Sequence, residues 1–132
     1  MNKKVYKKQK AFDGFVTVYT SLLRTLHDTF PDVTAVETEL AKWSKTDKKT
    51  KMEFIKQWYT AMEPIANHIH TESCAVFGAN INVLLNINIP HLWIDRRFTA
   101  QSTKHLWLYL KKLYDQSQTF CSNGKKHIAP PS

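Results

Sequence analysis

Cysteine is scarce in this chain: Cys74 and Cys121 are the only two in 132 residues, and they stand far apart. A small disulfide-stapled scaffold needs a dense, even set of cysteines, so that class is excluded and a reducing, intracellular setting is expected. Glycine is limited to Gly14, Gly78 and Gly124, too few and too scattered for a loop that cradles phosphates. Acidic residues number 11 against 19 Lys and Arg. Glu37, Glu39, Glu53, Glu63 and Glu72 fall near lysines at positions expected to be solvated, so paired carboxylates for acid and base work have no anchor. Long apolar runs are missing too. The longest charge-free stretch, 74–94, contains Gly78, Asn80, Asn82, Asn86, Asn88 and Pro90, too polar for hydrocarbon, and no membrane span is expected. The opening MNKKVYKKQK runs into FDGF rather than an apolar core segment, which is not the pattern of a secretory signal.

What the chain does have is aromatic mass and positive charge. Four Trp, five Tyr and seven Phe carry burial in a chain sized for one domain. The net charge of +8 favours acidic partners: nucleic acid, an anionic membrane or an acidic protein surface.

Apolar spacing predicts an all-α domain, a compact bundle of four to five helices. The densest stripe lies in 101–114, where Leu106, Trp107, Leu113 and Tyr114 fall within about 60° of Leu110 on a helical wheel, with Ser102 as the N-cap. A second amphipathic helix, 11–29, gathers Phe12, Phe15, Val16, Leu22, Leu23, Leu26 and Phe30 around Tyr19, and Pro31 ends it. Asp32 is expected to cap a third helix over 33–43, with Val33, Val36, Leu40 and Trp43 as its seam. The basic turn 44–51 follows. A fourth helix starts at a Thr50–Glu53 capping box or one turn earlier at Thr46 or Asp47, and runs to about His70 with Met52, Ile55, Tyr59, Met62, Ala66 and Ile69 aligned. Pro64 should kink or break it after Glu63. Residues 80–89 alternate like a strand but have no partner strand, which favours irregular chain or short helical turns there. Pro90 suits the first turn of a short helix with His91, Leu92, Trp93 and Ile94. Residues 1–10 and 122–132 read as flexible basic ends around a single helical domain, 11–121.

Candidate sites follow from charge rather than from chemistry. His68, His70 and Cys74 invite a zinc reading, with His91, His105 or Cys121 as further ligands. On a helix His68 and His70 face opposite ways and no pair has ligand spacing, so no metal and no cofactor is expected. Cys74 and Cys121 have no activating partner in sequence, and no catalytic residue is nominated. Lys3, Lys4, Lys7, Lys8 and Lys10, with Lys125 and Lys126 at the other end, are candidate phosphate contacts on mobile segments that add nothing to the core. Arg96 and Arg97 beside Trp93 and Phe98 grip a phosphate, stack on a base, or form a solvated turn. Leu108 falls on a lysine face with Lys104 and Lys111, a candidate protein contact.

The order of landmarks carries a resemblance. Phe12, Phe15 and Phe30-Pro31, then Trp58, then Leu92-Trp93, then TKHLWLYLKKLY with Lys104, Leu106-Trp107, Tyr109-Leu110 and Leu113, resemble a family of small helical proteins of nucleocytoplasmic large DNA viruses. The resemblance spans about residues 11–115 and implies an intracellular viral protein of the host cytoplasm or virus factory, or of the virion. It carries no catalytic or binding residue onto this chain. The expected function is non-catalytic association with nucleic acid through basic arms. The alternative is a structural or adaptor subunit that binds protein, a homo-oligomer or virion component.

Overall fold

Side chains at 12, 15, 19, 22, 23 and 26 are all withdrawn from solvent, the spacing that commits one face of a long helix to a core. The computed structural model describes residues 3–73 and 89–121, without the side chains of 3–6, 90 and 91. Within it the chain is all-α: α1 (Lys3–Thr29), α2 (Thr34–Lys45), α3 (Lys48–Met62), a 3₁₀ turn (Glu63–Ile65), α4 (Ala66–His70), α5 (Ile89–Trp93) and α6 (Ala100–Cys121). No helix among the described residues is long and apolar enough to cross a membrane.

The α1 and α6 helices form an antiparallel pair at the centre. Phe12 meets Phe120, Gln116 lies across Gly14, and the Thr25 and Tyr109 hydroxyls bond at 3.2 Å. An added Cβ at Gly14 would stand 2.7 Å from the Gln116 carboxamide carbon, a contact that the flexible Gln116 side chain relieves by moving its end. From α6, Leu106, Trp107, Leu110, Leu113 and Tyr114 are buried, and so are Ser117 and Phe120 beyond them. Against the other flank of α1, the α2–α3 hairpin adds an aromatic cluster: Tyr19, Trp43 and Phe54 pack with ring centroids 4.5–5.3 Å apart. Trp58 meets Phe15 edge-on at 5.6 Å. The Trp43 indole N–H donates to Thr20 Oγ1 at 3.0 Å, while the buried Tyr19 hydroxyl has no hydrogen-bond partner. Burial, reinforced by the charge of Glu39, pushes the Tyr19 phenol well above its usual range.

The breaks have local causes. Pro64 ends α3 at Met62 and forces the 3₁₀ turn, as its missing N–H and ring require. Asp47 is the cap of α3, its carboxylate accepting from the Thr50 N–H at 2.8 Å, which holds its pKa below the usual carboxylate range. Three expectations are corrected. The first helix starts at Lys3, not Ala11: Ala11 is itself buried, and Lys8 of the added turns lies over the Phe120 ring. Asp32 does not cap α2, whose N-cap is Val33 with no side-chain bond, because Asp32 is drawn to Arg97. The cap of α6 is Thr99: its Oγ1 accepts from the Ser102 N–H and Ser102 Oγ accepts from the Thr99 N–H, both at 3.2 Å, a reciprocal capping box. The alternating stretch 80–89 lies, except for Ile89, outside the described residues, and so do Cys74 and the tail 122–132. The short helix at Pro90 is α5.

Candidate nucleic-acid interface

Lysine gathers at one end of the bundle, where the first turns of α1, the α2–α3 turn and the last turn of α6 converge. The joint is a hydrogen bond: Lys48 Nζ donates to Gln9 Oε1 at 3.1 Å, across 39 positions of sequence. Gln9 is itself oriented by donating to Asp13 Oδ1 at 3.1 Å. Lys48 also stands 5.5 Å from the Phe12 ring centroid. Lys8 lies 4.8 Å from the centroid of Phe120, and Lys51 5.1 Å from that of Trp43. Each ammonium is thereby held by a ring quadrupole while its head stays toward water. Lys7, Lys10, Lys45 and Lys49 complete this end and are exposed.

Lys3, Lys4, Lys7, Lys8 and Lys10 thus lie on α1 rather than on a mobile arm, and the turn bearing Lys45, Lys48, Lys49 and Lys51 joins them. The sequence shows that turn as basic, yet nothing local shows that it folds against residue 9. Lys125 and Lys126 lie outside the described residues. Acidic groups at this end include the exposed Asp13, Asp47, Glu53 and Glu63; Glu53 stands 3.8 Å from Lys56, and the charge of Glu63 reaches Cys121. Cys121 ends α6 here, half-buried. Burial pushes its thiol pKa up, against the pull of Lys56 and Lys8, a thiol in the unreactive protonated state.

The other expected site residues lie elsewhere. Arg97 is not a free phosphate grip: it pairs with Asp32 and Asp95 and covers Phe30. Two carboxylates flank it because the α1–α2 and α5–α6 turns abut. Arg96 beside it is exposed. On α6, Lys104 and Leu108 are exposed, and Lys111 reaches Glu72 at 2.7 Å.

Two cavities are lined by described residues. One of about 190 Å³ opens between α1 and α6, lined by Leu22, Thr25, Phe98, His105 and Tyr109 among others, with no carboxylate or thiol on its lining. His105 Nε2 is 3.2 Å from the Gln101 side-chain nitrogen. The other, about 250 Å³, lies between α2 and α3 and is lined by Glu39, Trp43, Glu53 and Phe54 with neighbouring polar side chains. Glu39, expected to be solvated, is 5% exposed there, because it shares the inner side of α2 with Val36 and Trp43. No group of three His, Cys, Asp or Glu side chains stands in metal-holding reach among the described residues. Comparison of the chain with protein-family models, curated proteins and solved structures finds no match.

Proposed function

We propose that this chain is a non-catalytic viral protein that holds nucleic acid by its phosphate backbone, without reading sequence, through the lysine-bearing end of the bundle. The observation that supports this most is the Lys48–Gln9 bond, which makes one surface of two basic segments that are separate in sequence. Lysine amines on a helical scaffold neutralise phosphates and release counterions, a contact that positions the ligand but carries no sequence information. The viral setting, in the factory or the particle, is supported by the landmark residues from Phe12 to Leu113. The test is a salt titration of the full chain against two duplexes of unrelated sequence. Equal affinities that fall steeply with salt are expected, together with marked weakening in Lys7→Gln/Lys45→Gln/Lys49→Gln at unchanged helical content. A chain that binds neither duplex at low salt discards the proposal.

One observation favours a second reading, an adaptor that binds protein or a second copy of itself. Leu108 is 49% exposed on α6, beside the Lys111–Glu72 pair. Leu108→Ser separates the readings: an adaptor loses its protein partner, whereas nucleic-acid binding through the opposite charge-rich end is unaffected.

A further inference from the structure

We infer that the cleft between the second half of α1 and the first half of α6 is a binding site for a small uncharged aromatic alcohol, a ring carrying a short hydroxyl-bearing tail. The site stands apart from the lysine end and does not rest on the nucleic-acid reading. Because the two helices run antiparallel, the cleft has two chemically different ends. At one, the Thr25 and Tyr109 hydroxyls bond at 3.2 Å. At the other, the Phe30 and Phe98 rings stack with centroids 6.5 Å apart. The helical step from Thr25 to Phe30, closed by the Phe30 N–H bond to the Leu26 carbonyl, spans about 7.5 Å of axis. That is the reach of a phenyl ring with a two-carbon alcohol tail. Between the ends the floor is apolar: Leu22, Leu26 and Leu106 are buried and line a cavity of about 190 Å³, more than the roughly 150 Å³ that suffices for benzene. The aromatic end is fixed before any ligand arrives, since Trp93 stacks on Phe98 at 4.9 Å and Arg97 covers Phe30 at 4.7 Å. Small molecules use preformed pockets of this kind, apolar with a few placed polar groups. The polar end has capacity to spare: one hydroxyl hydrogen makes the Thr25–Tyr109 bond, and the other, with the unused lone pairs, remains for a ligand. Among the described residues of the lining, none carries a carboxylate, ammonium or guanidinium, and Arg97 behind Phe30 is committed to Asp32 and Asp95. A charged ligand buried there loses its hydration without gaining a counter-ion. A neutral ring with one hydroxyl suits both ends.

The probe is 2-phenylethanol, titrated into the full chain and followed by melting temperature and by the methyl NMR shifts of Leu22, Leu26 and Leu106. A saturable rise in melting temperature with a dissociation constant of about 1 mM is expected, with those methyls shifting along the same curve. Phenylacetate and 2-phenylethylammonium, the same shape with a full charge, should bind at least about tenfold more weakly. Tyr109→Phe and Thr25→Val each remove one hydroxyl and little volume. Each should weaken 2-phenylethanol about two- to tenfold and leave ethylbenzene, which makes no hydrogen bond, unchanged. Circular dichroism checks that the variants fold, and the charged analogues need only the wild-type chain, so the test stands even where a variant does not. No saturation at about ten times the expected constant overturns the inference. So do a charged analogue that binds as tightly as the alcohol, shifts that leave the three leucines untouched, and folded variants that weaken both neutral ligands equally or neither.

Discussion

Arg97 and Asp32, 65 positions apart, meet as a two-point ion pair: Nη1 and Nη2 each donate to one oxygen of the Asp32 carboxylate. The same guanidinium donates to both oxygens of Asp95, at 3.1 Å each, and lies 4.7 Å from the Phe30 ring centroid. It therefore ties the turn after α1 to the turn before α6. A fork of fixed geometry over an aromatic face is a task for arginine, not lysine.

That clasp gives a pH dependence with a definite sign. Hydrogen bonds from Arg97 hold the Asp32 carboxyl below its usual range and bring Asp95 down to about 2. A carboxyl whose folded pKa is depressed stabilises the fold above its unfolded pKa, about 3.9, and that contribution is lost as pH falls through the folded value. The melting temperature should fall as pH drops from about 4 to about 2. Asp32→Asn should melt lower than wild type at neutral pH and converge on it in acid, and Arg97→Lys should not restore the wild-type value. Melts of the three proteins across that range check this. A difference independent of pH would mean that the pair contributes nothing electrostatic.

Trp107 is buried at the centre of α6, where Trp93 meets it at 6.1 Å. Trp107→Ala should cost about 3–5 kcal/mol, since the emptied volume cannot be refilled by its neighbours. On the same helix Lys111→Ala should cost less than about 1 kcal/mol, because its bond to Glu72 is a partly solvated ion pair. Denaturant melts of the two variants rank them, and equal losses would place the core face of α6 wrongly.

How much of this was legible in the sequence depends on the range of the interaction. The stripes around Tyr19 and Leu110 follow from helical period alone, and every large apolar member of the α6 stripe is buried. Pro31 and Pro64 end helices for reasons internal to proline. Trp58 lies off the Met52–Ile55–Tyr59 line yet is buried, because α3 is covered on two sides, by Phe15 of α1 and by Tyr114 of α6. Asp32 shows the limit most clearly. A capping residue and an ion-pair partner look alike in sequence, and the choice was made by an arginine 65 positions away. The lysine end has the same origin: residues 1–10 read as a solvated arm until Phe120 arrives beneath Lys8.

Because residues 3–10 are helical, removing 1–10 should not leave stability unchanged. The deletion strips the amine from Phe120 and exposes the start of the buried face at Ala11 and Phe12. Lys8→Ala alone should cost about 0.5–1 kcal/mol, the worth of a solvated cation–π contact. The truncated chain should lose at least that, a fall in melting temperature of at least roughly 2–5 °C. A truncated protein that melts with the full chain would return these residues to the status of an arm.

The two basic segments should act as one surface, and salt dependence can apportion it. Each lysine that neutralises a duplex phosphate contributes about 0.9 to the slope of log affinity against log salt. Lys7→Gln removes a charge from α1, and Lys49→Gln one from the start of α3, both exposed and away from the Lys48–Gln9 joint. Each substitution should flatten the slope by about 0.9 and the double variant by about 1.8, with melting temperatures unchanged. Additivity is expected because the two side chains share no partner. A slope altered by Lys7→Gln but not by Lys49→Gln would confine binding to α1, and the convergence of the two segments would then be a matter of folding only.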